Sequence, residues 1–134
     1  MSNRSVDGWP RMLLRLEGAC ILAGAVSAYG WLGQSWWIFA ALLFVPDVSM
    51  LGYAAGPVAG AVLYNLAHFL ALPLVGLCLA AGLGHFDLVG LALIWLAHIG
   101  LDRALGYGLK YASGFGDTHL GVIGRPRDTT IAPH

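Results

Sequence analysis

The seven Lys and Arg residues of this chain sit only toward its two ends, so the 87 positions from 16 to 102 hold no basic side chain. A soluble domain spreads its charges over every exposed face, and about a quarter of its residues are charged. Here 10% are charged and 58% are hydrophobic, and the mean hydropathy is +0.73. So long an apolar stretch, cut only by short turns, folds with lipid as its solvent. In hydrocarbon a helix satisfies every backbone polar group within its own segment. The pattern therefore predicts an all-α, four-helix transmembrane bundle.

A helix needs about 20 residues to cross roughly 30 Å of hydrocarbon. Four segments meet that length, at about 11–32, 35–54, 57–81 and 86–107, and a tail at about 108–134 completes a single integral membrane domain over 1–134. Gly33-Gln34-Ser35, Gly56-Pro57 and Gly82-Leu83-Gly84-His85 supply the turns, with Pro57 suited to a first helical position. Basic residues before an apolar run look like a signal peptide. The run carries Glu17 and no convincing small-x-small cleavage site, so it is expected to be retained as the first span. Arg4, Arg11 and Arg15 flank the start of span 1, and Arg103, Lys110, Arg125 and Arg127 flank the end of span 4. The positive-inside rule then puts both termini in the cytoplasm. Trp31, Trp36, Trp37 and Tyr29 would form an aromatic belt at the opposite interface.

Other composition features narrow the partners. Zero net charge and no basic patch interleaved with aromatics argue against nucleic acid. Nineteen glycines suit close helix packing in lipid. Gly18, Gly24, Gly56 and Gly60 could pack within the bundle or build a homo-oligomer. Cys20 and Cys78 are expected to act as small packing residues, a disulfide or metal pair being the alternative.

Within the uncharged middle stand Glu17, Asp47, Asn65, His68, His98 and Asp102. Counting along each span at about 1.5 Å per residue puts all six roughly 8–16 Å from the cytoplasmic edge. Ionisable groups at such depth cost about 2.5–3.5 kcal/mol each, so they face one another or a water-filled cavity. His98 and Asp102 are four apart and share a helix face; Asn65 and His68 are three apart, beside Tyr64. Pro46 should disturb the helix before Asp47 and free backbone carbonyls. The cavity is expected to open to the cytoplasm beneath residues 106–121.

Three functions compete on these residues. In the first, His68, His98 and Asp102, with Asp47 and with Glu17 or His119 completing the shell, bind a divalent metal, zinc, manganese or iron, which acts on a lipophilic substrate. In the second, Asp47, Asp102 or Glu17 is the metal-free acid–base catalyst of an isomerase or cyclase, protonating an isoprenoid-like substrate in an apolar cavity lined by Trp95, Phe69 and Leu72. In the third, the carboxylates relay ions in a carrier, a reading weakened by the lack of polar residues in the outer half. Asn65, Tyr64, Arg103, Tyr107 and Lys110 are the candidate substrate contacts, although packing is the simpler role for Tyr53, Tyr64 and Tyr107. Glu17 has a bland alternative in pairing with Arg11, Arg15 or Arg103. His85 and His134 receive no role.

The stretch Asp102-Arg103-Ala104-Leu105-Gly106-Tyr107-Gly108-Leu109-Lys110-Tyr111, followed by Phe115-Gly116-Asp117-Thr118-His119-Leu120-Gly121, resembles a family of small bacterial integral membrane proteins classed as a domain of unknown function. Pro46-Asp47-Val48-Ser49-Met50-Leu51-Gly52-Tyr53 and Tyr64-Asn65-Leu66-Ala67-His68 are similar to it as well. The resemblance covers about residues 11–124. It implies a compact four-helix fold in a bacterial inner membrane and implies no activity.

Overall fold

The computed structural model describes residues 8–107, 117–118 and 121–122. Its elements are α1 (Trp9–Trp31), α2 (Trp36–Leu42), a 3-10 helix (Val45–Ala55), α3 (Pro57–Ala67), α4 (Ala71–Gly82) and α5 (Phe86–Leu105). A minimal ladder pairs β1 (Asp117–Thr118) antiparallel with β2 (Gly121–Val122). Joined across their short breaks, the helices give four segments long and apolar enough to cross a membrane: Trp9–Trp31, Trp36–Ala55, Pro57–Gly82 and Phe86–Leu105. The four-helix membrane architecture expected from the charge pattern is the one found.

Spans 2 and 3 are broken, and proline explains both breaks. A proline inside a helix clashes with the carbonyl four residues earlier and donates no hydrogen bond. For Pro46 that carbonyl belongs to residue 42, and α2 ends at Leu42. The chain resumes as an eleven-residue 3-10 helix with Pro46 in its first turn, unusually long for a form seldom sustained beyond three or four residues. For Pro73 the carbonyl belongs to residue 69. Span 3 interrupts at 68–70, and Pro73 lies buried in the first turn of α4, where its missing N–H costs nothing. Only the first break follows from the sequence reading above.

The bundle is organised around α5. Over its most apolar 18 residues 56% are buried, against 17% or less in each other span, so α5 is the shared core helix and the rest wrap it. α1 and α4 pack directly on α5, and the 3-10 helix packs on α3. The α1–α5 contact is backbone against backbone at two glycines. A Cβ on Gly18 would fall 2.8 Å from the Gly100 carbonyl oxygen and 2.7 Å from the Ala104 nitrogen, and one on Gly100 would fall 2.7 Å from the Leu22 nitrogen. Such close approach is how helices associate in lipid, where the hydrophobic effect offers no help.

At one end of the bundle the Arg15 Nε–H donates to the Ala104 carbonyl at 2.9 Å; at the other, the Gln34 side-chain amide donates to the Phe86 carbonyl at 2.7 Å. The start of span 1 and the end of span 4 therefore share one end. Two expectations need correcting. Tyr29 is no interfacial residue: it is fully buried, its hydroxyl donates to the Ser35 carbonyl at 2.7 Å, and its ring packs against Trp36 and Phe39. Cys20 and Cys78 are unpaired and face outward instead of packing in the core. Of the two roles open to Gly24, packing within the bundle is not the one it plays, since nothing lies near enough to touch an added Cβ.

Candidate metal centre

The two helix breaks and one face of α5 converge. Asp47 stands in the first turn of the 3-10 helix, His68 caps α3, and His98 and Asp102 lie one turn apart on α5. The two imidazole Nε2 atoms approach to 3.0 Å. His68 Nε2 lies 3.4 Å from Asp47 Oδ1 and 3.1 Å from Asp102 Oδ2; His98 Nε2 lies 3.3 and 3.2 Å from the same two oxygens. All four donor atoms lie within 4.8 Å of one another. Zinc-to-ligand distances of about 2.0–2.2 Å imply tetrahedral ligand-to-ligand edges of roughly 3.3–3.6 Å. The five edges that involve a histidine nitrogen are close to that already, so the group could hold a metal ion with small shifts.

The local chemistry favours four lone pairs turned inward. A carbonyl oxygen can only accept, so at 2.8 Å from the Tyr64 oxygen the His68 Nδ1 must carry the proton. That leaves Nε2 of the neutral ring as a lone pair facing the cluster, the arrangement a metal-binding histidine needs. The His98 Nδ1 is buried beside the Leu43 backbone, just outside good hydrogen-bond geometry. His98 and His68 are 0% and 4% exposed, while Asp47 and Asp102 are 33% and 16% exposed, so any approach is from the carboxylate side. With neutral imidazoles the cluster carries two negative charges, and a divalent cation would cancel them within the hydrocarbon.

Supporting side chains hold the ligands still. Tyr64 is buried and stacks on the His68 ring with centroids 3.8 Å apart and planes at 13°. Phe44 meets the edge of His98 at 6.1 Å. The break in span 3 frees the Ala67 carbonyl, which accepts from the Trp95 indole N–H at 2.6 Å. The Ser49 hydroxyl does the same for the Pro46 carbonyl at 2.7 Å. Sequence reasoning missed the Trp95 bond and the break it stabilises, although Pro73 was a readable signal.

The remaining candidates separate from this centre. Glu17 is exposed on α1 and outside the cluster; its electrostatic partner is Arg103. Arg103 faces α1, its Cβ lying against Gly18, so it points away from the ligands. Asn65 is half-buried on α3, one residue after Tyr64, and makes an interaction of its own. Tyr107 is 39% exposed, and its backbone N–H donates to the Asp102 carbonyl at 2.7 Å. Lys110 and His119 lie outside the described residues, as does most of the 106–121 segment.

Beside the cluster, a cleft of about 420 Å³ is lined by Leu42, Val45, Pro46, Ala67, Leu91, Ile94 and Trp95. Its walls include the residues just before Asp47 and His68, so it adjoins the centre on the side of the two breaks. Of the three residues expected to line an apolar cavity only Trp95 does so. Phe69 and Leu72 are 48% and 41% exposed, because the break at 68–70 lets the chain turn them outward.

No curated protein matches the chain significantly, and no solved structure does. A family model described as a domain of unknown function, DUF4260, matches residues 11–123. That stretch contains all four spans but for the first two residues of span 1, together with all four residues of the cluster, and the chain belongs to this family.

Proposed function

We propose that the protein is a metal-dependent membrane enzyme whose centre is built by Asp47, His68, His98 and Asp102, with both termini in the cytoplasm of a bacterial inner membrane. The observation that carries the reading is the convergence of four donor atoms within 4.8 Å, with the two nearly unexposed histidine nitrogens 3.0 Å apart and each 3.1–3.4 Å from the two carboxylates. Two carboxylates and a divalent ion form a neutral unit, the state least penalised in hydrocarbon. Imidazole and carboxylate donors without thiolate suit zinc, manganese or iron. Such an ion would supply Lewis acidity or an activated water at neutral pH once a fifth coordination position takes up substrate or water.

The substrate is a lipophilic molecule that reaches the centre from the bilayer. The adjoining cleft supports this: at about 420 Å³ it has the size of a small-molecule site, and its lining is apolar. Trp95 and Pro46 would bound the substrate on the side nearest the ligands, and the partly exposed Asp47 is the ligand best placed to meet it.

A second reading draws on the same distances. Separations of 3.1–3.4 Å between imidazole nitrogens and carboxylate oxygens also fit protonated histidines bonded to Asp47 and Asp102, a proton store for metal-free acid–base chemistry. Metal analysis separates the two. Full-length protein purified without chelator should hold one ion per chain, and His68→Ala/His98→Ala should hold none while keeping its far-ultraviolet circular dichroism. Wild-type protein that stays metal-free after incubation with zinc, manganese and ferrous iron would overturn the metal reading and leave the acid–base one.

A further inference from the structure

We infer that the groove between the first turns of α1 and the end of α5, on the opposite side of α5 from the metal ligands, binds the headgroup phosphate of an anionic membrane phospholipid. The groove, of about 570 Å³, is lined by Arg11 and Arg15 together with Met12, Leu16, Ala19 and Ala104. The two arginines are four residues apart on one helix face, where like charges repel. Among the described residues neither forms a salt bridge, and Glu17, the nearest acidic residue along α1, acts on Arg103.

The guanidiniums lie against α5 and, among the described residues, remain short of acceptors. Arg15 spends its Nε–H on the Ala104 carbonyl at 2.9 Å. Arg11 reaches the other helix too, since a Cβ on Gly106 would lie 3.6 Å from one of its terminal nitrogens. Its Nε is buried yet has no hydrogen-bond partner. The carbonyl end of α5 offsets about half a charge, so two ordered guanidiniums retain net positive charge and terminal N–H groups in the fork that phosphate matches.

The rest of the groove selects a lipid over a free anion. From the arginines the lining runs inward along α1 through Met12, Leu16 and Ala19, toward the hydrocarbon. A polar mouth at the bundle end above an apolar floor has the polarity of a phospholipid, phosphate outside and acyl chain within. A free phosphate would leave that floor unused, and a choline headgroup would set a second cation against the arginines.

Native mass spectrometry of full-length detergent-solubilised protein tests this, with phosphatidylglycerol, phosphatidylcholine and inorganic phosphate as probes. Phosphatidylglycerol should be retained in preference to phosphatidylcholine, and millimolar inorganic phosphate should not displace it. Arg11→Gln/Arg15→Gln should weaken retention by roughly thirtyfold, about fivefold per guanidinium, with metal content unchanged. Arg11→Lys/Arg15→Lys keeps the charge and should fall between the two. Equal retention of both lipids, displacement by inorganic phosphate, no retention, or a lysine variant as weak as the glutamine one would each overturn the inference.

Discussion

Replacing Trp95 with phenylalanine removes one hydrogen-bond donor together with part of a half-buried ring, and the structure fixes what should follow. The indole N–H donates at 2.6 Å to the Ala67 carbonyl, which the span 3 break has deprived of its helical partner. Without that donor a carbonyl inside the bundle is left unsatisfied, at a cost of about 1–3 kcal/mol. Ala67 immediately precedes His68, so the loosened backbone carries a proposed metal ligand with it. Groups that orient ligands in this way are worth about 10–100-fold in metal affinity, or about 1.4–2.8 kcal/mol. Competition for zinc against a chromophoric chelator, at fixed pH in detergent, measures the affinity; thermal unfolding of the metal-free protein measures the stability term separately. Trp95→Phe should lose in both. A variant destabilised by that amount but binding zinc within twofold of wild type would refute the claim that the indole positions His68.

The other predictions address the centre, its pH response, the helix contact and the topology. Asp102→Asn keeps the shape of the ligand but removes half the cluster's negative charge, so it should lower metal content at least as far as Trp95→Phe does, read by elemental analysis. Histidine ligates only when neutral, so acidification to about pH 5 should release the ion, with affinity falling as pH falls and recovering on neutralisation; a dye-release titration checks the sign. Gly18→Leu drives side chain into the backbone of α5 and should cost about 1–3 kcal/mol or more, the usual range for overpacking, seen as a lower midpoint of thermal unfolding. A reporter fused after His134 should be active only if it requires the cytoplasm; activity from a periplasm-dependent reporter at that end would reverse the proposed orientation.

Charge distribution alone made the four spans legible, because lysine and arginine are excluded from hydrocarbon more stringently than any other signal is imposed. The matching heights of Asp47, His68, His98 and Asp102 were legible too, since a helix advances a fixed distance per residue. What height leaves open is azimuth. Glu17 shares the expected layer with Asp47 and His98, yet it faces outward because Gly18 presses α1 onto α5 and fixes the rotation of the helix. Tyr29 went the other way: an aromatic near a helix end reads as interfacial, but Ser35 and Phe39 fold back over it. The His98 and Asp102 pair was readable from spacing alone. Its meeting with His68 depends on the break that Pro73 enforces from five residues downstream, a long-range effect that a count along a continuous helix passes over.

The tight winding of Val45–Ala55 has a consequence for rotation about its own axis. An α-helix turns about 100° per residue, so six residues separate Asp47 and Tyr53 by a third of a revolution. With three residues per turn they fall in one column. The Tyr53 ring wedges over Gly60 of α3 while Asp47 reaches His68 at the far end of the same helix. The tyrosine thus acts as a key whose seating indexes the carboxylate, and rewinding this segment to ordinary pitch would swing one of them out of register with α3.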